Sequence, residues 1–304
     1  MTAASLAILQ VDAFTDRPFS GNPAGVVLDA AGLGEGRMQR IATEMNLAET
    51  AFVSPSPREG ADFGLRWFTP TREVAYCGHA TVATVHAMVE RGQLAGERVV
   101  FDTKGGRLEV EVECGGDGSL IWLVPALPSV TPFAGPSAAL LGALGLPPDG
   151  LASWASPALT PDGDLLLPAR GLHVLRALAP DMSVLGRLAG ATDLRGVCVV
   201  SRETIEPGSA THARFFAPHF GIPEDIVTGS VHSSIATWLF ASGQLPVAAG
   251  RATFTAEQGD LLGRPGRLRV DVEIADGRPR RVRVGGRAVT VLEGRLRLPE
   301  DIRP

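Results

Sequence analysis

The stretch from Arg66 to Leu94 recurs between Arg214 and Leu245, and this internal repeat restricts the possible folds more than any other feature of the 304-residue chain. The first copy reads RWFTPTREVAYCGHATVATVHAMVERGQL and the second RFFAPHFGIPEDIVTGSVHSSIATWLFASGQL, so Arg66, Phe68 and Pro70 fall on Arg214, Phe216 and Pro218. Cys77 and Gly78 then fall on Thr228 and Gly229, after an insertion in the second copy around Glu224 and Asp225. Upstream, Phe52-Val53-Ser54 matches Val199-Val200-Ser201; downstream, GRLEVEVE from Gly106 matches GRLRVDVE from Gly266. The order is the same in both halves, which predicts two copies of one α+β unit.

Each copy can be read coarsely. VDAFTDRPFSGNPAGVVL, with turn residues between apolar runs, predicts a hairpin, and AFVS and FGLRWF read as strands. Val82, Val85 and Val89 recur at helical spacing and predict an amphipathic helix ended by Gly92; Ile235, Trp238 and Ser242 do the same for a second helix ended by Gly243. RLEVEVE and RLRVDVE alternate strictly, as strands with one buried face do. The expected fold is therefore α+β, two similar domains, each a mostly antiparallel sheet wrapped around a central helix. At roughly 150 residues per domain, and with a Pro-rich VPALPSVTPFAGP linker, the domains are expected over 1–128 and 129–286, with strands in 287–304 returning to the first.

Scarcities narrow the chemistry. The only lysine is Lys104, in a turn, so any Schiff base would depend on that residue. Cys77, Cys114 and Cys198 are too far apart in sequence for a CxxC zinc site or a disulfide framework. The six histidines show no HExxH pairing, and neither a phosphate-binding loop nor a dinucleotide fingerprint is present. No cofactor and no metal are therefore expected. A net charge of −5 without a basic cluster argues against nucleic acid. The lack of a long apolar run or a basic leader argues against a membrane and for a cytoplasmic location.

Both predicted helices begin at a glycine, at Cys77-Gly78-His79 and Thr228-Gly229-Ser230. There the first N–H groups lack intrahelical acceptors, and the helix dipole favours anions. Two such ends could face one substrate from opposite sides of an interdomain cleft, holding a carboxylate and a developing enolate.

At these residues the chain resembles a known family. GNPAGVV, NLAETAFV, FTP followed by CGHAT, GIPEDIVTGSVH, and GRPGRLRV before VGGRAVTVLEG are similar to the motifs of the PhzF-like, phenazine-biosynthesis-like isomerases, which belong with diaminopimelate epimerase and proline racemase. Ile226 stands where proline is common in the family, which bears on turn rigidity more than on chemistry. The resemblance implies the duplicated diaminopimelate epimerase-like fold, cofactor-independent proton transfer on carbon, and a homodimer. It also implies roles for individual residues: Glu49 as general acid/base, His79 and Asp225 as catalytic partners holding the substrate, and Gly78, Gly229 and Ser230 as its carboxylate-binding positions. The apolar flanks of Glu49 predict a raised pKa, and the helix dipole predicts lowered values for His79 and Cys77.

Racemases of this superfamily place a cysteine at each helix start, whereas here Thr228 stands opposite Cys77. A symmetric two-thiol racemase is therefore disfavoured. The expected activity is an isomerase that moves a proton on carbon of a small cyclic or unsaturated carboxylic acid. The alternatives are a proline-racemase-type racemase or dehydratase using Cys77 alone, and a non-catalytic metabolite-binding protein.

Overall fold

The computed structural model describes residues 5–94, 96–116 and 118–298. It is a mixed protein of many strands and few helices, divided into two compact units. One unit runs to Val124 and resumes at Gly285; the other comprises Pro125–Val284. Among the described residues no helix is long and apolar enough to cross a membrane.

In the first unit the predicted hairpin forms between Ser5–Ala13 and Asn22–Val27, and Ser5–Ala13 also pairs antiparallel with Ala288–Arg297. Asn22–Val27 lies parallel to Glu49–Pro55, which pairs antiparallel with Phe63–Phe68. Arg98–Thr103, Gly106–Gly115 and Gly118–Leu123 continue as antiparallel neighbours. The Glu35–Met45 helix is amphipathic and buries Met38, Ile41 and Ala42 against Leu6, Ile8, Phe52 and Phe68.

The Gly78–Glu90 helix differs from its expected amphipathic character, because ten of its 13 residues are buried. Glycine, alanine and threonine fill the positions between the valines, and they are small enough to pack where a polar face was expected. Thr81 and Thr84 satisfy their hydroxyls internally, donating to the carbonyls of Cys77 at 2.6 Å and Ala80 at 2.7 Å. The helix packs on Asn22–Val27, Ser5–Ala13 and Gly118–Leu123.

In the second unit Asp164–Pro168 lies parallel to Gly196–Ser201, followed by Ser209–Ala217 antiparallel, with Ile222–Asp225 and Arg251–Gln258 also on the latter strand. Leu165, Leu167, Val197 and Val199 face a layer of three helices, Ala138–Leu144, Leu172–Ala177 and Met182–Ala191. Leu166, Cys198 and Val200 face the buried Gly229–Ala241 helix. A strand covered on both faces loses its polar alternation, which is why these strands read as uninterrupted apolar runs. RLRVDVE also departs from a simple one-faced strand. Asp271 is buried and accepts hydrogen bonds from Arg251, at 2.5 and 2.6 Å, and from Arg283 at 2.9 and 3.1 Å.

The same pair of contacts occurs at matched positions in the two units. Arg66 lies 5.1 Å over the Phe68 ring and donates to Glu73 at 2.6 Å; Arg214 lies 5.0 Å over Phe216 and donates to Glu224 at 2.7 Å.

A buried carboxylate anchors a surface turn within the second unit. Glu257 accepts from the backbone N–H groups of Ile205 at 2.8 Å and Glu206 at 2.7 Å, and lies 2.9 Å from His212 Nδ1. Burial pushes its pKa up, but His212 and the two backbone donors outweigh that and hold it at about 2. An unfolded chain binds this proton near the ordinary glutamate value of 4.5, so the stabilisation is complete above that pH and is lost as pH falls toward about 2. In urea titrations, Glu257→Gln should be less stable than the parent at pH 7 and should lose less stability between pH 5 and pH 3.

Candidate active site

Strand register brings the first group of polar residues together. Asn22 opens one strand and Glu49 opens its parallel neighbour, where Ala24 pairs with Glu49. The Gly78–Glu90 helix starts against both strands and contributes Cys77 as its N-cap residue and His79 in its first turn. Glu49, Cys77, Gly78 and His79 are all buried, with Glu49 only 8% exposed. His79 Nε2 lies 3.2 Å from Glu49 Oε2, a charge contact not aligned as a hydrogen bond. On the other edge of the ring, Nδ1 lies 3.3 Å from the Asn22 side-chain nitrogen and 3.6 Å from Cys77 Sγ. A Cβ on Gly78 would stand 3.2 Å from Leu123 Cδ1, so the residue is held small by packing.

The electrostatics reverse three expectations from the sequence. Burial does push Glu49 up, as its apolar flanks predict, but the charge and proximity of His79 outweigh it and hold the carboxyl below its usual range. Burial disfavours a charged His79, yet Cys77 and Glu49 raise its pKa well above the usual value; this opposes the dipole-lowered, neutral imidazole expected from its place at the helix start. Cys77 is pushed up to about 11, first by burial and then by the Glu49 charge, so it rests as a thiol. Both shifts run toward a charged pair, with the carboxyl of Glu49 held toward its ionised form and His79 toward its protonated form. Donor atoms of Glu49, Cys77 and His79 lie within 4.8 Å of one another, as do those of His212, Glu257 and Asp260, so either set has the spacing to hold one cation.

The second unit assembles its own group around the start of the Gly229–Ala241 helix. Asp225 ends a strand, and its Oδ2 accepts from Thr228 Oγ1 at 2.6 Å. Gln258, buried at the end of Arg251–Gln258, organises this turn. Its Nε2 donates to the Asp225 carbonyl at 2.9 Å and to Thr228 Oγ1 at 3.1 Å, while its Oε1 accepts from the Thr228 N–H at 3.1 Å. Oε1 also lies 3.0 Å from His232 Nε2; burial lowers the His232 pKa to about 4 despite this contact, so the neutral ring donates here. Ser230 sits on the first turn, with Arg195 Nη2 at 3.5 Å from its hydroxyl. The structure thus groups Glu49 with Gly78 and His79, and Asp225 with Gly229 and Ser230, one group in each unit.

Sequence reasoning missed Gln258 and Arg195. Gln258 follows a polar residue at the end of an otherwise ordinary strand, and Arg195 sits in a turn before an apolar strand. Neither position carries a local signal, because each acquires its partners only by folding.

Two outcomes follow from this geometry. Gln258→Leu strips the acceptor from the Thr228 N–H and from His232, so it should cost about 2–4 kcal/mol of stability, measured by urea unfolding. Native protein treated with iodoacetamide at pH 8 should be modified at exposed Cys114, with buried Cys77 and Cys198 reacting only after unfolding, as read by mass spectrometry of peptides.

Comparison with known proteins gives consistent matches over nearly the whole chain. A family model described as PhzC-PhzF, phenazine biosynthesis-like protein, matches residues 11–294. An uncharacterized isomerase of Pseudomonas aeruginosa is 41% identical over 292 residues, covering 95% of this chain and 97% of that protein. An uncharacterized isomerase of Deinococcus radiodurans is 37% identical, covering 96% of this chain and 95% of the relative. Among solved structures, the PhzF-family phenazine biosynthesis protein of Bacillus anthracis superposes with a TM-score of 0.85 at 30% identity, covering 96% of this chain and 99% of that one.

Proposed function

Because the chain belongs to the PhzC-PhzF family and is an isomerase, we propose that it moves a proton between carbons of a small cyclic or unsaturated carboxylic acid, with Glu49 as the acid/base. The observation that carries this reading is the buried contact of Glu49 with His79 at 3.2 Å. A carboxylate resting ionised takes the proton from an activated carbon first. The electron pair left on the substrate delocalises as an enolate, and the same carboxyl then returns its proton to another carbon, so no atom is gained or lost. As the negative charge moves from Glu49 to the substrate, the imidazolium of His79 remains as its counter-charge. Helix N–H groups add a preorganised stabilisation, of the kind worth roughly 3–4 kcal/mol per donor elsewhere.

Asp225, Gly229 and Ser230 take the roles the family resemblance implies, orienting the substrate and holding its carboxylate. The protonated, buried thiol of Cys77 favours Glu49 over a cysteine base. We read the two units as copies of one α+β pattern, each a sheet wrapped on its buried helix. The matched Arg66–Phe68–Glu73 and Arg214–Phe216–Glu224 contacts support that reading.

Solvent deuterium incorporation into a panel of unsaturated acids tests the proposal. Glu49→Gln should reduce exchange by about 10²–10⁴-fold in protein that circular dichroism shows to be folded, with some loss of stability because His79 loses its buried partner. Exchange retained in that variant would remove Glu49 from its role.

A further inference from the structure

We propose that Arg195 receives the substrate carboxylate in the second unit, as a guanidinium clamped in place beside Ser230. The identity of the ligand as an organic acid rests on the isomerase reading above; the site itself rests on the surroundings of Arg195.

Arg195 lies between the Met182–Ala191 helix and the Gly196–Ser201 strand, anchored by its N–H to the Gly163 carbonyl at 2.8 Å. Its side chain is fixed in two directions. Nε donates to Asp164 Oδ1 at 2.8 Å and Nη2 to Asp164 Oδ2, a two-point contact with a carboxylate that is itself 1% exposed. The guanidinium also lies 5.6 Å from the centre of the Phe215 ring. That ring fills the space a side chain at residue 196 would need, since a Cβ on Gly196 would meet Phe215 Cζ at 2.5 Å. Burial opposes the cation, and the charges of Asp164, Asp162 and Asp225 offset it.

The contact with Asp164 uses Nε and Nη2, and Nη2 also lies 3.8 Å from Asp162 Oδ2, on a side chain that is 58% exposed and so screened by solvent. Among the described residues Nη1 has no partner, and the side chain remains 33% exposed. Nη2 reaches toward Ser230 Oγ at 3.5 Å, which places the guanidinium beside the end of the Gly229–Ala241 helix where backbone N–H groups lack intrahelical acceptors. A carboxylate seated there would meet a rigid cation, a hydroxyl and amide donors together, a combination that a neutral carboxamide cannot exploit to the same extent. Lysine would keep the charge but lose the fork that binds Asp164 and the ligand at once.

The opposing account makes Arg195 only the counter-ion of Asp164. Removing one partner alone would strand a buried charge, so the principal variant is the double substitution Arg195→Gln with Asp164→Asn, which removes both charges and retains a polar pair. The probes are cyclohex-1-ene-1-carboxylate and trans,trans-2,4-hexadienoate, each against its carboxamide, by calorimetry at low ionic strength. The parent protein should bind the acids about tenfold more tightly than the amides, and the folded double variant should lose that preference by weakening for the acids alone. Arg195→Lys, which retains a charge opposite Asp164, should weaken acid binding several-fold. The inference is overturned if the parent shows no preference for acids, if either variant keeps the parent's acid affinity, or if acid and amide affinities fall in parallel. Glu49→Gln should keep the preference. Failure of deuterium exchange in the parent, with acid preference present and lost in the Arg195 variants, would overturn the isomerase reading and leave this site standing.

Discussion

A helix buried along nearly its whole length brings its unsatisfied first turn into the protein interior, and both the Gly78–Glu90 and Gly229–Ala241 helices are of this kind. Neither N-cap side chain makes a capping hydrogen bond. Each start must instead be accommodated by groups from neighbouring strands, and much of the polar chemistry of the chain gathers there. In the first unit Asn22 and Glu49, from two parallel strands, lie against the His79 ring in the first turn; in the second Gln258 accepts from the Thr228 N–H and Asp225 from the Thr228 hydroxyl. The candidate site residues thus gather where two largely buried helices begin.

The two solutions differ in charge. The first unit places a carboxylate against an imidazolium and keeps the adjacent thiol protonated. The second uses a neutral amide to bind the turn at three points, with the Asp225 carboxylate on the Thr228 hydroxyl and the Arg195–Asp164 pair beside Ser230. Buried pairs of this kind contribute little net stability against apolar replacements, but breaking one strands a charge. Their use here is to fix side chains in single orientations.

Local sequence made the framework legible. The repeat located both buried helices and alternation picked out GRLEVEVE; the first hairpin forms, but Asn22, Pro23 and Gly25, read as turn residues, lie within its second strand and the connection is residues 14–21. The glycines ending the helices, Gly92 and Gly243, adopt φ of 64° and 65°, the left-handed region that glycine enters without strain. Environment was less legible. Glu49 is buried as its apolar flanks predict, yet its proton affinity moves the opposite way because His79 lies beside it. The helix dipole predicts lowered values for His79 and Cys77, but its influence is outweighed by one carboxylate and by desolvation. The polar face expected on the Gly78–Glu90 helix is absent because threonine hydroxyls can bond to the backbone of their own helix.

What the residues determine by themselves is the repeated strand-and-helix pattern, the positions of both helix starts and the family to which the chain belongs, whereas the Glu35–Met45 helix and the three helices of the second unit's outer layer carried no repeat to mark them. These depend on short-range periodicity, turn chemistry and motifs read along the chain. Tertiary structure decides which groups meet: Glu49 with His79 across thirty residues, Asp225 and Thr228 with Gln258, Arg195 with Asp164 and Ser230. The direction in which each buried group's proton affinity moves follows from those long-range contacts, because a buried charge responds chiefly to what lies within a few ångströms and hardly to its neighbours in sequence.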